Sequence, residues 1–426
     1  MNAIKLNTHY NKSILPLVVE WISAISTLYL IASLILNFEC QRIALFVWGA
    51  ATVADIAVNR RYQNMKWKGE KWVFGVMAVF YLCIWIWHIF EDCSSAQFFH
   101  STDTRLPFLI FGILGLFTTL NPKIDITHIA ATMLAMSVAT LAYIIYDNYA
   151  FISTGIGSIN EFRENISILR HNSLRTTHIG SNVYMNCTMA MCFIAAQLSS
   201  KKWGKALLYI GILVIYATIT LSEGRAGLIT ANLLVIAFIG FVIYRYCRKA
   251  IIPIVIVCVG LAGVGISKHN RLQLDMIKSE PRILIWEQAW ELIKERPVLG
   301  YGVCDGRERF VTESLNNEEL VKNFWDNWME KHPDYKVHRF HCHNVFVESA
   351  LEFGIVGLLL TIALFALPVV LTKGRKRSYI ALIMLIFFIQ SIFEAFTYHF
   401  QPMLFCLMVF IFVLSETEKL ERNQRC

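Results

Sequence analysis

Residues 14–38 read ILPLVVEWISAISTLYLIASLILNF, with Glu20 the one charged side chain in the run. Such a run is long enough to cross the ~30 Å of hydrocarbon in a bilayer as a helix. It is too long for the core of a signal peptide and lacks a small-residue cleavage site, so it reads as a retained first membrane span. Working outward, similar runs recur near residues 43–58, 72–90, 106–120, 126–146, 182–199, 206–221, 226–244, 250–266, 355–371, 379–396 and 400–415. The 426 residues are 56% hydrophobic and only 16% charged, with a mean hydropathy of +0.50. A soluble domain carries about a quarter charged residues. The expected fold is an all-α polytopic membrane protein with about twelve transmembrane helices.

Loop charges set the orientation. With the N-terminus inside, NRRYQNMKWKGEK (59–71), SKKWGK (200–205), RYCRK (245–249), TKGRKR (372–377) and the C-terminal tail all fall on the cytoplasmic side. The opposite connectors are almost free of lysine and arginine, as the positive-inside pattern requires. The formal net charge of +8 is therefore topological. No fold signature supports nucleic-acid binding.

Three regions follow. Residues 1–266 hold nine spans and an outer loop at 147–181; residues 267–354 form a large outer loop; residues 355–426 hold three spans and the tail. The large loop carries helical periodicity. PRILIWEQAWELIKERP (281–297) starts on Pro281, places Ile283, Trp286, Ala289, Trp290 and Ile293 on one face, and stops at Pro297. NEELVKNFWDNWMEK (317–331) repeats the pattern with Leu320, Val321, Phe324, Trp325 and Trp328. HNVFVESALEF (343–353) is a third such helix, ended by Gly354. Trp-rich amphipathic helices lie in the membrane interface, so the loop is expected to fold as a cap resting on the bilayer. The eleven cysteines include no CxxC, and Cys304 and Cys342 can pair if the loop faces an oxidising compartment.

Chemistry concentrates in the outer segments. Arg225, in LSEGRAGLI, stands between two spans in a connection too short to reach water, where a charge needs a partner or a function. It is paired with Glu223, a snorkelling side chain, or part of an anion site made with helix-start amides. Arg282 occupies the first turn of a helix, where the macrodipole disfavours a cation. That placement becomes favourable if a phosphate binds between the guanidinium and the free N–H groups; otherwise Arg282 is a solvated surface residue. HRFHCHNVFVE (338–348) contains three histidines. Its H-x-x-H-x-H spacing matches no strong metal motif, and His341 and His343 cannot share a helical face, so neither metal nor cofactor is expected. His343 instead begins the third helix, with Asn344 and Glu348 on one face behind it. A histidine, with an ordinary pKa near 6.5, can take a proton from a hydroxyl there as a general base.

HNVFVESALEFGIVG fits the H-[NSQ]-x9-G-x-x-G pattern of the bacterial O-antigen ligases, with His343, Asn344, Gly354 and Gly357 in the fixed places. RILIWEQAWELIKERPVLGYG resembles the arginine-initiated segment that precedes this pattern in the same superfamily, and SEGRAG resembles its outer-face arginine motif. Residue 229 is isoleucine where that motif often has leucine. The resemblance implies a metal-independent inverting glycosyltransferase of the bacterial inner membrane, with both termini cytoplasmic. It would move glycan from undecaprenyl diphosphate to a hydroxyl of the lipid A–core oligosaccharide on the periplasmic face, in lipopolysaccharide biosynthesis. Arg225 and Arg282 would hold the diphosphate and His343 would act on the acceptor hydroxyl. Asn344 and Glu348 are assigned as its supports from local geometry. An O-antigen polymerase using the same donor is the nearest alternative. A lipid-glycan transporter or flippase would instead show internal repeats and charges around a midplane site.

Overall fold

The computed structural model describes residues 14–36, 40–64, 67–91, 94–149, 153, 178–222, 224–246, 281–331, 340–399 and 402–416. Among these residues the regular elements are all helical. The main helices are α1 (Ile14–Leu36), α2 (Gln41–Val58), α3 (Trp72–His88), α4 (Ser95–Asp103), α5 (Leu106–Phe117), α6 (Ile126–Asp147), α7 (His178–Leu198), α8 (Lys202–Leu221), α9 (Arg225–Tyr246), α10 (Pro281–Glu295), α11 (Val303–Asn316), α12 (Val345–Leu371), α13 (Gly374–Phe393) and α14 (Pro402–Leu414). Among the described residues, nine helices are long and apolar enough to cross a membrane, and α5 and α14 are shorter apolar helices. All eleven coincide with expected spans, and the chain is an all-α polytopic membrane protein. The expected span at 250–266 lies outside the described residues, as does most of the 147–181 loop.

The bundle is organised around α7, which is buried over almost its whole length. Its run of small and flexible residues, NCTMAMCFIAA (186–196), lets neighbouring helices approach closely. α6, α8, α9 and α13 all pack on it. Its polar groups are met in pairs: Tyr184 accepts from Gln41, and Thr188 shares a hydrogen bond with Ser137. Phe193 stacks on Phe238 of α9 with ring centroids 4.1 Å apart. On the other side, α3 and α5 pack together and contribute to the same apolar core.

The two ends of the bundle differ. At one end, buried lysines bind carbonyls where helices finish: Lys71 reaches the Thr118 carbonyl, and Lys376 bonds both Glu70 and the Val413 carbonyl. Cations complement helix C-termini, so these lysines are stabilised there by the helix ends. At the other end, α10, α11 and the short helical segments Glu318–Leu320, Val321–Trp325 and Asp326–Lys331 enclose a second apolar core. Together they form a helical cap on that end of the bundle. Its buried face on α10 is Ile285, Ala289, Leu292 and Ile293, rotated from the anticipated one; Ile283 and Trp290 stay exposed. The rotation lets Trp286 point toward the histidine loop, as described below.

The cap is fastened to the bundle through a break in α12. Gly354 has φ +61°, ψ −150°, which separates an outer helical segment from the span proper. Only glycine takes that conformation without strain, and a Cβ there would run into the Val298 carbonyl. Tyr301 and Gly302 donate to the Leu351 and Glu352 carbonyls, and Ile355 donates back to Pro297. The loop after α10 thus docks along the break by backbone hydrogen bonds. Arg105 adds an ion pair with Glu352 at 2.8 Å, both side chains almost fully buried.

Candidate active site

The site is set by a non-helical stretch, Phe340–Asn344, that bends at His343 and runs into α12. Phe340 and Cys342 face the cap core, where Phe340 stacks on Phe310 and packs against Trp325. His341 and His343 lie side by side, their ring centroids 4.1 Å apart. The two histidines were expected to diverge because a helix cannot place i and i+2 on one face. The stretch is not helical, and that expectation is corrected.

The backbone of this stretch is held at each residue. Trp286 of α10 donates its indole N–H to the Cys342 carbonyl at 2.9 Å. The Cys342 N–H donates to Glu348 at 2.7 Å, and the His343 N–H donates to Nδ1 of His341 at 3.1 Å. His343 itself is in the left-handed region at φ +50°, uncommon for a residue with a Cβ. α12 then starts at Val345, not at His343. Asn344 is its N-cap, accepting from the N–H groups of Phe346 and Val347, and its amide donates to the Ile392 carbonyl at the end of α13. Asn344 is thus a latch between two helices. Glu348 grips the loop backbone; among the interactions the structure gives it, none is with the imidazole of His343. Cys304 and Cys342 are both free thiols. Burial first, and then Glu348, push the Cys342 thiol well up, which leaves it chemically inert.

The carboxylate that meets the histidines is Glu394, immediately after α13. Its side chain is almost fully buried and lies 3.1 Å from Nδ1 of His343 and 3.5 Å from Nε2 of His341. Sequence reasoning passed over it inside an apparent span. The available signal was a lone carboxylate in the apolar run FFIQSIFEAF (387–396), since an ionisable group at that depth carries a default expectation of function.

Hydrogen bonding fixes what these rings can do. Nδ1 of His341 accepts a backbone N–H, so the neutral ring carries its hydrogen on Nε2, the nitrogen facing Glu394. On His343 the nitrogen facing the carboxylate is Nδ1, which leaves Nε2 as the bare acceptor. The three side chains bring possible ligand atoms within 4.8 Å of one another. A metal on Nε2 of His341 would need that nitrogen stripped of its hydrogen while Nδ1 still accepts. The donor set therefore suits proton transfer better than coordination.

The two arginines begin helices at this same end. Arg225 is the first residue of α9, and α9 packs against α13. Phe241, late in α9, contacts Tyr379, early in α13, so the helices are antiparallel. The Arg225 end of α9 consequently lies beside the Glu394 end of α13. Arg282 is in the first turn of α10, one turn ahead of Trp286 on the same face. Because Trp286 bonds the residue next to His343, Arg282 stands on the face of α10 turned to the histidine loop. Ser222, just before α9, donates to Asn182 of α7, and Asn186 donates to Gly227, which anchors the turn bearing Arg225. Glu223 and His338 lie outside the described residues.

Residues 207–362 match the family model described as O-antigen ligase. The matched segment contains Arg225, Arg282, His343, Asn344, Glu348, Gly354 at the α12 break and Gly357; Glu394 lies beyond it. An uncharacterized protein of Haemophilus influenzae (strain ATCC 51907 / DSM 11121 / KW20 / Rd) is 26% identical over 199 residues, 42% of this chain and 45% of the relative. The chain thus spans less than half the length of that relative. The matched segment includes both arginine-bearing helix starts and the histidine loop, so this part of the chain is similar to the O-antigen ligase family.

Proposed function

We propose that the protein is an O-antigen ligase, a metal-independent inverting glycosyltransferase of lipopolysaccharide assembly in the bacterial inner membrane. The observation that carries this reading is the His343–Glu394 pair, set at the bundle end where the helices of Arg225 and Arg282 also begin. Its donor is a glycan on undecaprenyl diphosphate, and its acceptor is a hydroxyl of lipid A–core on the periplasmic face. Arg225 and Arg282, each joined by the N–H groups of its helix start, bind the diphosphate and stabilise its charge as it leaves.

Nε2 of His343 takes the proton of the acceptor hydroxyl. The oxygen forms its bond to the anomeric carbon while the bond to the diphosphate breaks on the opposite face, which inverts the centre. Glu394 stabilises the imidazolium that forms and keeps the ring's hydrogen on Nδ1. Two lipid-anchored substrates held at one membrane face react as an effectively unimolecular pair. The helices expected to rest on the interface provide that surface. Disruption of the gene tests the reading. Accumulation of free lipid-linked polymer with uncapped core supports a ligase, whereas core capped with single repeats indicates a polymerase and overturns it.

A further inference from the structure

We infer that His341 is a positioning residue for His343, holding its partner at both ends and selecting its tautomer. The inference rests on the general-base reading of His343 and deepens it. One nitrogen of His341 accepts the His343 backbone N–H at 3.1 Å. That bond is the intramolecular partner of a residue held at φ +50°, where a side chain is ordinarily disfavoured. The other nitrogen of His341 points to Oε1 of Glu394 at 3.5 Å, the same oxygen that lies 3.1 Å from Nδ1 of His343.

The roles are linked by tautomer logic. Because Nδ1 of His341 accepts, its Nε2 is the N–H, and it faces the carboxylate as a donor. Oε1 of Glu394 then lies between two ring N–H groups and offers no hydrogen to either. His343 must therefore present Nδ1–H to Glu394 and leave Nε2 bare for the substrate. His341 is buried, at 5% exposure, beside a buried carboxylate, so water does not substitute for it readily. Partners of this kind, one step removed from the reacting group, commonly change function by about 10–100-fold when lost.

The test uses the full chain in nanodiscs. Nitrogen-15 NMR of labelled histidine, with His343→Gln to assign the signal, reads the tautomer of His343 directly. We expect a bare Nε2 on His343 in the parent and a mixture of tautomers in His341→Phe. In transfer assays with an undecaprenyl-diphosphate glycan and lipid A–core, His341→Phe should lower kcat about tenfold or more while the KM for donor stays within about twofold. His341→Gln, whose amide can replace Nε2–H, should recover part of the kcat and the parent tautomer, and it serves as the working variant if His341→Phe does not fold. Parent-like kcat and tautomer in His341→Phe, with His343→Ala inactive, overturn the role of His341 alone. Full activity of His343→Ala overturns the base reading and this inference with it. If His341→Gln shows neither the parent tautomer nor any recovery over His341→Phe, the tautomer role is overturned.

Discussion

At the scale of single residues, the proposed mechanism divides proton transfer from charge stabilisation, and the two make separable predictions. His343→Ala should lower transfer by about 10²–10⁴-fold, the usual contribution of general acid–base catalysis, and a chelator should leave the parent unchanged. Loss of parent activity to the chelator would bring a metal back to the three-residue cluster. Arg282→Lys keeps the charge but loses the planar fork that matches a phosphate, so the KM for the diphosphate donor should rise about tenfold with kcat less affected. An unchanged donor KM would remove Arg282 from the clamp. His343, Arg225 and Arg282 stand out as candidates in the sequence because each breaks a local rule: a cation in a helix's first turn, a charge at the end of a span, an imidazole beside a membrane. Glu394 carries a local signal as a lone carboxylate in an apolar run, but its pairing with His343 does not, because the two lie 51 positions apart. His341 reads from the sequence as a supporting or solvent residue, because helical spacing separates i from i+2, whereas the chain is not helical there.

At the scale of elements, the N-cap of α12 decides whether the histidine loop and α13 stay in register. Asn344 closes two N–H groups of α12 and holds the Ile392 carbonyl, two residues before Glu394. Asn344→Ala should cost about 1 kcal/mol of stability through the lost cap. It should also reduce kcat, because the latch to α13 sets where Glu394 meets His343. Asn344→Asp retains the cap acceptors but cannot donate to Ile392. It should therefore keep the melting temperature near the parent value and still lose activity; equal activity in the two would mean that the latch is only structural. Trp286→Phe similarly removes one donor to the Cys342 carbonyl with little change in volume, and the loss should appear in kcat before it appears in unfolding. The helices themselves were largely readable from apolar length and from Pro281. α11 was missed. Its buried residues Val303, Gly306, Phe310 and Ser314 do repeat at helical spacing, but its charges and Gly306 hid the pattern.

At the scale of the whole molecule, the problem is to hold the cap in fixed relation to the membrane bundle. The solution combines the backbone docking at Gly354 with the Arg105–Glu352 pair, which ties the start of α5 to the outer segment of α12. Arg307 of α11 feels both Glu348 and Glu352, so the cap, the histidine loop and the bundle share one buried charge cluster. The span pattern predicted the bundle well, because crossing hydrocarbon imposes length and apolarity on each helix independently. Which helix pairs with which depends on packing and on ion pairs hundreds of positions apart, and no local pattern encodes that. Removing one member of a buried pair leaves an uncompensated charge and costs about 3–5 kcal/mol, whereas replacing both with apolar residues is often neutral. Glu352→Ala should therefore lower the unfolding midpoint in detergent far more than the combined Arg105→Met and Glu352→Leu replacement. If the pair serves only the fold, the double replacement restores transfer activity along with stability. If it also sets the angle of the cap over the donor, the double replacement is stable and still slow, with Arg225 and Arg282 held too far apart for one diphosphate.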